Sequence, residues 1–289
     1  MTLRMPKVEA DEAIATFREA ARLNNEEAGR EGSIVRLPGY GQAVMTGDLH
    51  GHRKNFEKLE RYAMLDRVNA RHVILHEMVH MDRAPGLPDH SHELLLSAAI
   101  YKCHHPEQVH FLQSNHEMAQ LTGYPIAKNG RAVVDDYNDA VVETYGSSGM
   151  DVLPAMKEFI RSFPLAIMSE NGVWMSHSLP NASETEAFDW TLLNRALVDQ
   201  DFKDHGYVFQ MVWGRRHTSE QLESLSKKLG VQVFIIGHQP QESGYTVQHD
   251  RLIILASDHN HGTFLPFDLS KPQTAVELVR NIRKFVAVE

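Results

Sequence analysis

Asp48 and His50 stand two residues apart after the short apolar run Gln42–Thr46, so both side chains can turn to the same side of one strand end. The arrangement recurs along the chain. Glu77 follows the β-rich run 72–75, Asn115 and His116 follow Val109–Leu112, His177 follows 173–175, and His238 follows 231–236. In sheets with helical crossovers, sites gather at the carboxyl ends of strands, so these five ends are expected to converge. Their chemistry fits two metal ions. The carboxylate of Glu77 or Asp48 can bridge a pair of ions, Asn115 offers an amide oxygen, and His50, His177 and His238 offer imidazole nitrogens. Mixed nitrogen and oxygen ligation without thiolate suits manganese, iron or zinc better than calcium or magnesium. Two ions about 3.5–4 Å apart can activate a bridging water and clamp a phosphoryl oxygen. His116, beside a proposed ligand, is placed to face the leaving-group oxygen as general acid.

The elements that must position these residues alternate along the chain. Residues 8–29 carry Ala, Ile and Phe at helical spacing between charges and read as an amphipathic helix. Strands 42–46, 72–75 and 109–112 alternate with helical stretches 53–66 and 91–103, with a loop at Pro85, Gly86 and Pro88. Residues 133–163 read as helical with breaks at 146–149 and Pro154, followed by strands 165–168 and 173–175 around a turn at 170–172. A helix at 217–229 precedes strand 231–236, a hairpin of 246–248 with 252–256, and a strand at 263–268. The pattern predicts one α/β domain over residues 1–289, with sheets sandwiched by helices and an N-terminal helix within 1–30 packed on the core.

Composition narrows the class. The chain of 289 residues has 18 His but a single Cys, Cys103, which excludes an intramolecular disulfide and any Cys-based zinc site. Its 29 Lys and Arg against 38 Asp and Glu give a net charge of −9, which argues against nonspecific nucleic-acid binding. No apolar run approaches the roughly 20 residues of a membrane span, and the first residues lack the apolar stretch of a signal peptide. A cytoplasmic protein that works on neither nucleic acid nor membrane is expected.

At the level of motifs the chain resembles the calcineurin-like metallophosphoesterases, in particular their Ser/Thr phosphatase branch. Gly47-Asp48-Leu49-His50-Gly51 matches the GDxHG motif, and Ser114-Asn115-His116-Glu117 matches GNHE except at its first residue. Further similarity lies at 163–167 and 173–180, at Trp213-Gly214-Arg215, at 235–239 with 242–245, and at 257–262. The resemblance implies an α+β four-layer fold, a β-sandwich flanked by helices. It implies one metal on Asp48 and His50, a second on Asn115, His177 and His238, and a carboxylate between them. It also implies that His116 donates the proton.

The second family motif, GDxxDRG, is altered. Glu77 lies directly off its strand and takes the bridging role on this register, with Asp82 as the alternative. His80 then falls where the family has the Asp that orients the catalytic His, and Asp82 and Arg83 are displaced by two residues. Asp82 and His80 remain candidates to orient His116. Arg83, Arg215 (or Arg216), Asn115 and His261 are the candidate phosphate contacts, a guanidinium fork being suited to phosphate oxygens. His52, His76, His80, His259 and His261 are placed to fix ligand tautomers. His90, His92, His104, His105, His205, His217 and His249 read as surface residues, and Trp213 as core or pocket wall. The expected reaction is hydrolysis of phosphomonoesters by a metal-bound hydroxide, with two ions, manganese foremost or else iron or zinc. The substrate is a phosphoprotein, a nucleotide or a small phosphoester. The alternatives are a dinucleoside-polyphosphate hydrolase and a pseudophosphatase that only binds. A serine-nucleophile hydrolase lacks its G-x-S-x-G elbow.

Overall fold

The computed structural model describes residues 8–84, 86–128 and 130–289. Helix α1 (Ala10–Asn25) leads to strands β1 (Arg30–Glu31), β2 (Ile34–Leu37) and β3 (Gln42–Thr46), then α2 (Arg53–Ala63), β4 (Arg71–His76), α3 (Ser91–His104), β5 (Val109–Leu112) and α4 (Asn115–Thr122). A short hairpin, β6 (Ala127–Lys128) and β7 (Arg131–Ala132), precedes α5 (Val133–Tyr145), α6 (Gly149–Arg161), β8 (Ala166–Ser169) and β9 (Val173–Ser176). Helices α7 (Tyr207–Trp213) and α8 (Ser219–Leu229) follow, then β10 (Val233–Ile236), β11 (Tyr245–Gln248), β12 (Leu252–Leu255), β13 (Thr263–Asp268), α9 (Ala275–Val279) and β14 (Arg283–Lys284).

Among the described residues, one sheet runs β1-β2-β8-β9-β10-β12-β11 and a second runs β14-β13-β3-β4-β5. Side-chain alternation explains how they stack. On β3, Ala43 and Met45 join Ile235 and Ile253 of the other sheet in one buried cluster, while Val44 faces the opposite way with Phe56, Phe111 and Phe159. On β10, Val233 and Ile235 face between the sheets, and Phe234 and Ile236 pack outward with Leu222 and Leu225 of α8. Both faces of both sheets are therefore covered, which is why the strands read as unbroken apolar runs. The result is the four-layer α/β sandwich expected from the sequence. Helix α1 lies against the core through Phe17, whose ring centroid is 5.8 Å from that of Phe159 on α6. No helix among the described residues is long and apolar enough to cross a membrane.

Several local expectations change. The helix α6 passes through Pro154 without a break, because Val152, Ala155, Met156 and Phe159 are all buried and packing outweighs the lost bond. Helices α4 and α7 and the β6–β7 hairpin replace segments that carried no periodic signal in the sequence. His92 and His217 are buried, not surface residues. His92 is held on both ring nitrogens, at 3.1 Å to the Asp89 carbonyl and 3.0 Å to the Thr144 hydroxyl. Pro85, and residues 1–7 of the expected N-terminal segment, lie outside the described residues.

Candidate active site and metal centre

Parallel pairing of β3 with β4 and of β4 with β5 brings three carboxyl ends side by side in one sheet, and β9 with β10 does the same in the other. The loops that leave them are tied together by backbone hydrogen bonds. Leu49 and His50 N–H donate to the Glu77 carbonyl at 3.0 and 2.7 Å, and Ser257 N–H donates to the Asp48 carbonyl at 3.0 Å. Helix α4 starts at Asn115 because Ser114 caps it, accepting from Glu117 N–H at 3.2 Å. The Glu117 carboxylate, held by the Ser114 hydroxyl, also accepts from Met78 N–H at 2.6 Å. One buried carboxylate thus locks the loop of Glu77 to the helix that presents Asn115 and His116. His50, Glu77, His80 and His238 all take positive φ, between 40° and 66°. Non-glycine residues rarely adopt such φ, and strain of this kind collects at functional sites.

The polar side chains meet in the interior. Asn115 Oδ1, His177 Nε2 and His238 Nδ1 lie 2.7 to 3.1 Å from one another. Glu77 sits between this group and His50, with Oε1 3.6 Å from His177 Nε2 and Oε2 3.6 Å from His50 Nε2. Asp48 Oδ1 accepts from His238 N–H at 3.0 Å and lies 3.6 Å from His76 Nδ1. Ligand atoms of Asp48, His76 and His177, and likewise of His50, Glu77 and His116, fall within 4.8 Å of each other.

Hydrogen bonds fix which nitrogens are bare. The Thr46 carbonyl must accept from His76 Nε2, at 3.0 Å, so His76 Nδ1 accepts from His177 Nδ1 at 3.1 Å and His177 Nε2 keeps a free lone pair. His50 Nδ1 donates to the Val79 carbonyl at 3.0 Å, leaving its Nε2 bare toward Glu77. A second chain runs from Gln120 Oε1 through His80 to His116, with contacts of 3.0 and 2.9 Å, and points the remaining nitrogen of His116, Nε2, away from His80. Gln120 is itself oriented by donating to Asn138 Oδ1 at 2.7 Å.

The electrostatics suit cations. Burial, then the adjacent Asp48 carboxylate, pushes Glu77 well above the usual carboxylate range. Burial holds His50 down to about 3, with Lys128 adding to the effect, and holds His238 down to about 3, with Arg215 adding. Both imidazoles are therefore neutral near neutral pH, and His50 keeps its Nε2 lone pair free to ligate. Glu77 Oε1 is buried with no hydrogen-bond partner among the described residues. Two neighbouring interior carboxylates, an orphaned carboxylate oxygen and the bare Nε2 lone pairs of His50 and His177 fit a pair of metal ions.

A cavity of about 620 Å³ opens over this cluster, reached by Asp48, His50, Glu77, Asn115, His116 and His238. His177 lies behind it, fully buried. Asp82 and Arg215 also line the cavity, and Arg215 Nε donates to His238 Nε2 at 2.9 Å, which puts the proton of a neutral His238 on Nδ1, so ligation through Nδ1 requires Arg215 to release Nε2. Asp82 is exposed at the rim, whereas Glu77 is 1% exposed at the centre. Arg83 turns away, donating to the Leu87 carbonyl at 2.6 Å and pairing with Asp136. His261 is exposed and lines no part of this cavity; Asp258 of the same loop does. His52 caps α2 instead, and His259 bonds the Gln241 carbonyl at 2.9 Å. Trp213 forms pocket wall, stacked on Phe209 with centroids 5.6 Å apart. Lys128, Tyr124 and Asp258 also line the cavity without having been singled out in the sequence. Their positions depend on a two-residue strand and on loops that carry no periodic signal.

No protein-family model matches the chain, and no curated protein matches it in sequence. Solved structures do match in fold. A protein serine/threonine phosphatase from Saccharomyces cerevisiae, with similarity to human phosphatase PP5, superposes with a TM-score of 0.68 over 90% of this chain and 82% of its own, at 16% identity. A cold-active protein-tyrosine phosphatase of a psychrophilic Shewanella gives 0.55 over 81% and 77%, at 15% identity. Together with the two helix-flanked sheets, these matches show that the chain shares the fold of these phosphatase structures.

Proposed function

We propose that the protein is a metal-dependent phosphoric ester hydrolase acting on phosphomonoesters. The observation that carries this reading is the convergence of Asp48, His50, Glu77, Asn115, His177 and His238 beneath one cavity, with Glu77 reaching toward both halves of the cluster. Asp48 and His50 would hold one ion, and Asn115, His177 and His238 the other, with Glu77 between them. Bound there, divalent ions, manganese foremost, would draw charge from the phosphoryl oxygens and acidify a water for attack at phosphorus. The chain's own groups do the rest. His76 fixes His177 with its Nε2 lone pair free, and Glu117 keeps the Glu77 loop and α4 in register. His116 protonates the departing oxygen, and His80 orients it. Burial, then His50 and His80, holds His116 well below its ordinary pKa, and a bound phosphoryl dianion opposes that shift. Arg215 reaches the cavity to meet phosphoryl oxygens.

The test is hydrolysis of a chromogenic aryl phosphate by purified protein, first stripped with chelator and then reloaded with manganese. Hydrolysis should return with the metal. His116→Ala should lower kcat by roughly 10²–10⁴-fold, the usual contribution of a positioned acid, while metal content stays unchanged. A reloaded wild type without activity on any phosphoester, or undiminished activity in His116→Ala, overturns the proposal.

A further inference from the structure

Arg83 cannot serve the cavity as it stands, because its guanidinium pairs with Asp136 beside a separate cleft that also holds Asp139 and Glu143. Lys128, at the end of β6, lines the same cavity as Asp48, Glu77 and His116. It is half-buried, and among the described residues it forms no salt bridge and no side-chain hydrogen bond. Its positive charge is near enough to disfavour the imidazolium forms of His50, His80 and His116 and to favour the Glu77 carboxylate. A lysine is a compact point charge with three donors on a flexible stem, suited to phosphoryl oxygens that no rigid fork has to match. Across the cavity's lining it is joined by Arg215, the other cation among the described residues there.

We infer that Lys128 is a substrate-contacting residue that binds a phosphoryl oxygen of the substrate dianion, the contact from which Arg83 is turned away. The inference rests on the phosphoesterase reading above. It places one determinant of phosphate affinity on the β6–β7 hairpin, outside every motif that carries the family resemblance.

The experiment titrates manganese-loaded full-length protein with inorganic phosphate by calorimetry, for wild type, Lys128→Met and Lys128→Arg, alongside aryl phosphate kinetics. Lys128→Met should bind phosphate on the order of 10- to 100-fold more weakly, the range for a lost charge-assisted hydrogen bond, and its KM should rise to match. Manganese content and thermal midpoint should stay at wild-type values, and Lys128→Arg should recover most of the affinity. Unchanged phosphate affinity in Lys128→Met, or a loss that tracks lost manganese, overturns the assignment of Lys128 alone. A wild type that neither binds phosphate nor hydrolyses any phosphoester overturns the phosphoesterase reading together with it.

Discussion

Gly237→Ala should damage the centre through a single methyl group. A Cβ built on Gly237 would lie 2.1 Å from Asp48 Oδ1, 2.5 Å from His76 Cε1 and 3.2 Å from Asp48 Cγ. Ordinary contacts begin near 3.4 Å, so the Asp48 carboxylate must retreat by more than about 1 Å. The backbone cannot yield instead, because Gly237 N–H donates to the His177 carbonyl at 3.0 Å and its carbonyl accepts from Gln239 N–H at 2.8 Å. Gly237 does not take positive φ, so steric crowding is the whole effect. Overpacking of this kind costs about 1–3 kcal/mol, or roughly 2–6 °C in Tm for a chain of this length. Displacing Asp48, and the His76 that orients His177, should weaken manganese binding on the order of 10- to 100-fold. Thermal unfolding of chelated protein measures the first effect and calorimetric titration with manganese the second. A Gly237→Ala protein with wild-type Tm and wild-type manganese affinity would refute the packing of Asp48 and His76 described here.

His80→Asp should move the pH profile. An anionic neighbour favours the imidazolium form, so His116 would hold its proton to higher pH and the alkaline limb of kcat should shift upward by about one unit; a static limb contradicts the His80–His116 pairing. Burial, then Glu57, lifts Glu60 to about 7. A carboxyl whose folded pKa is raised stabilises fully below its unfolded value near 4.5 and loses that contribution as pH rises through 7, so Glu60→Gln should gain stability over wild type between pH 4.5 and 8. A constant gap in Tm across that range would contradict it. Lys102→Met should destabilise by about 3–5 kcal/mol, because it strips the buried Glu27 carboxylate of its ammonium partner and leaves only His110. Thermal unfolding reads this, and a change below about 1 kcal/mol would show that the pair is not needed.

Much of the site was legible because its residues follow strands. Asp48, Glu77, Asn115, His177 and His238 sit within three residues of the ends of short apolar, β-rich runs that read as strands, and parallel pairing does bring those ends together. Arg83 was readable only as part of an Asp-Arg pair. Its actual partner, Asp136, lies 53 residues away on α5, a contact no local spacing announces. Lys128 depends on a two-residue strand, and Glu117 on a bond to Met78 N–H that crosses 39 residues. Burial of His92 depends likewise on Thr144, 52 residues distant. Strand ends are local properties of a sequence; the side chains that reach across to them are not.

The most direct measurement is calorimetric titration of metal-stripped wild type with manganese, with aryl phosphate hydrolysis followed in the same samples. Two equivalents should bind, hydrolysis should appear with them, and Glu77→Ala should lose both. A wild type that binds no manganese, or that hydrolyses the ester at full rate while stripped, would contradict the metal-dependent phosphoesterase reading.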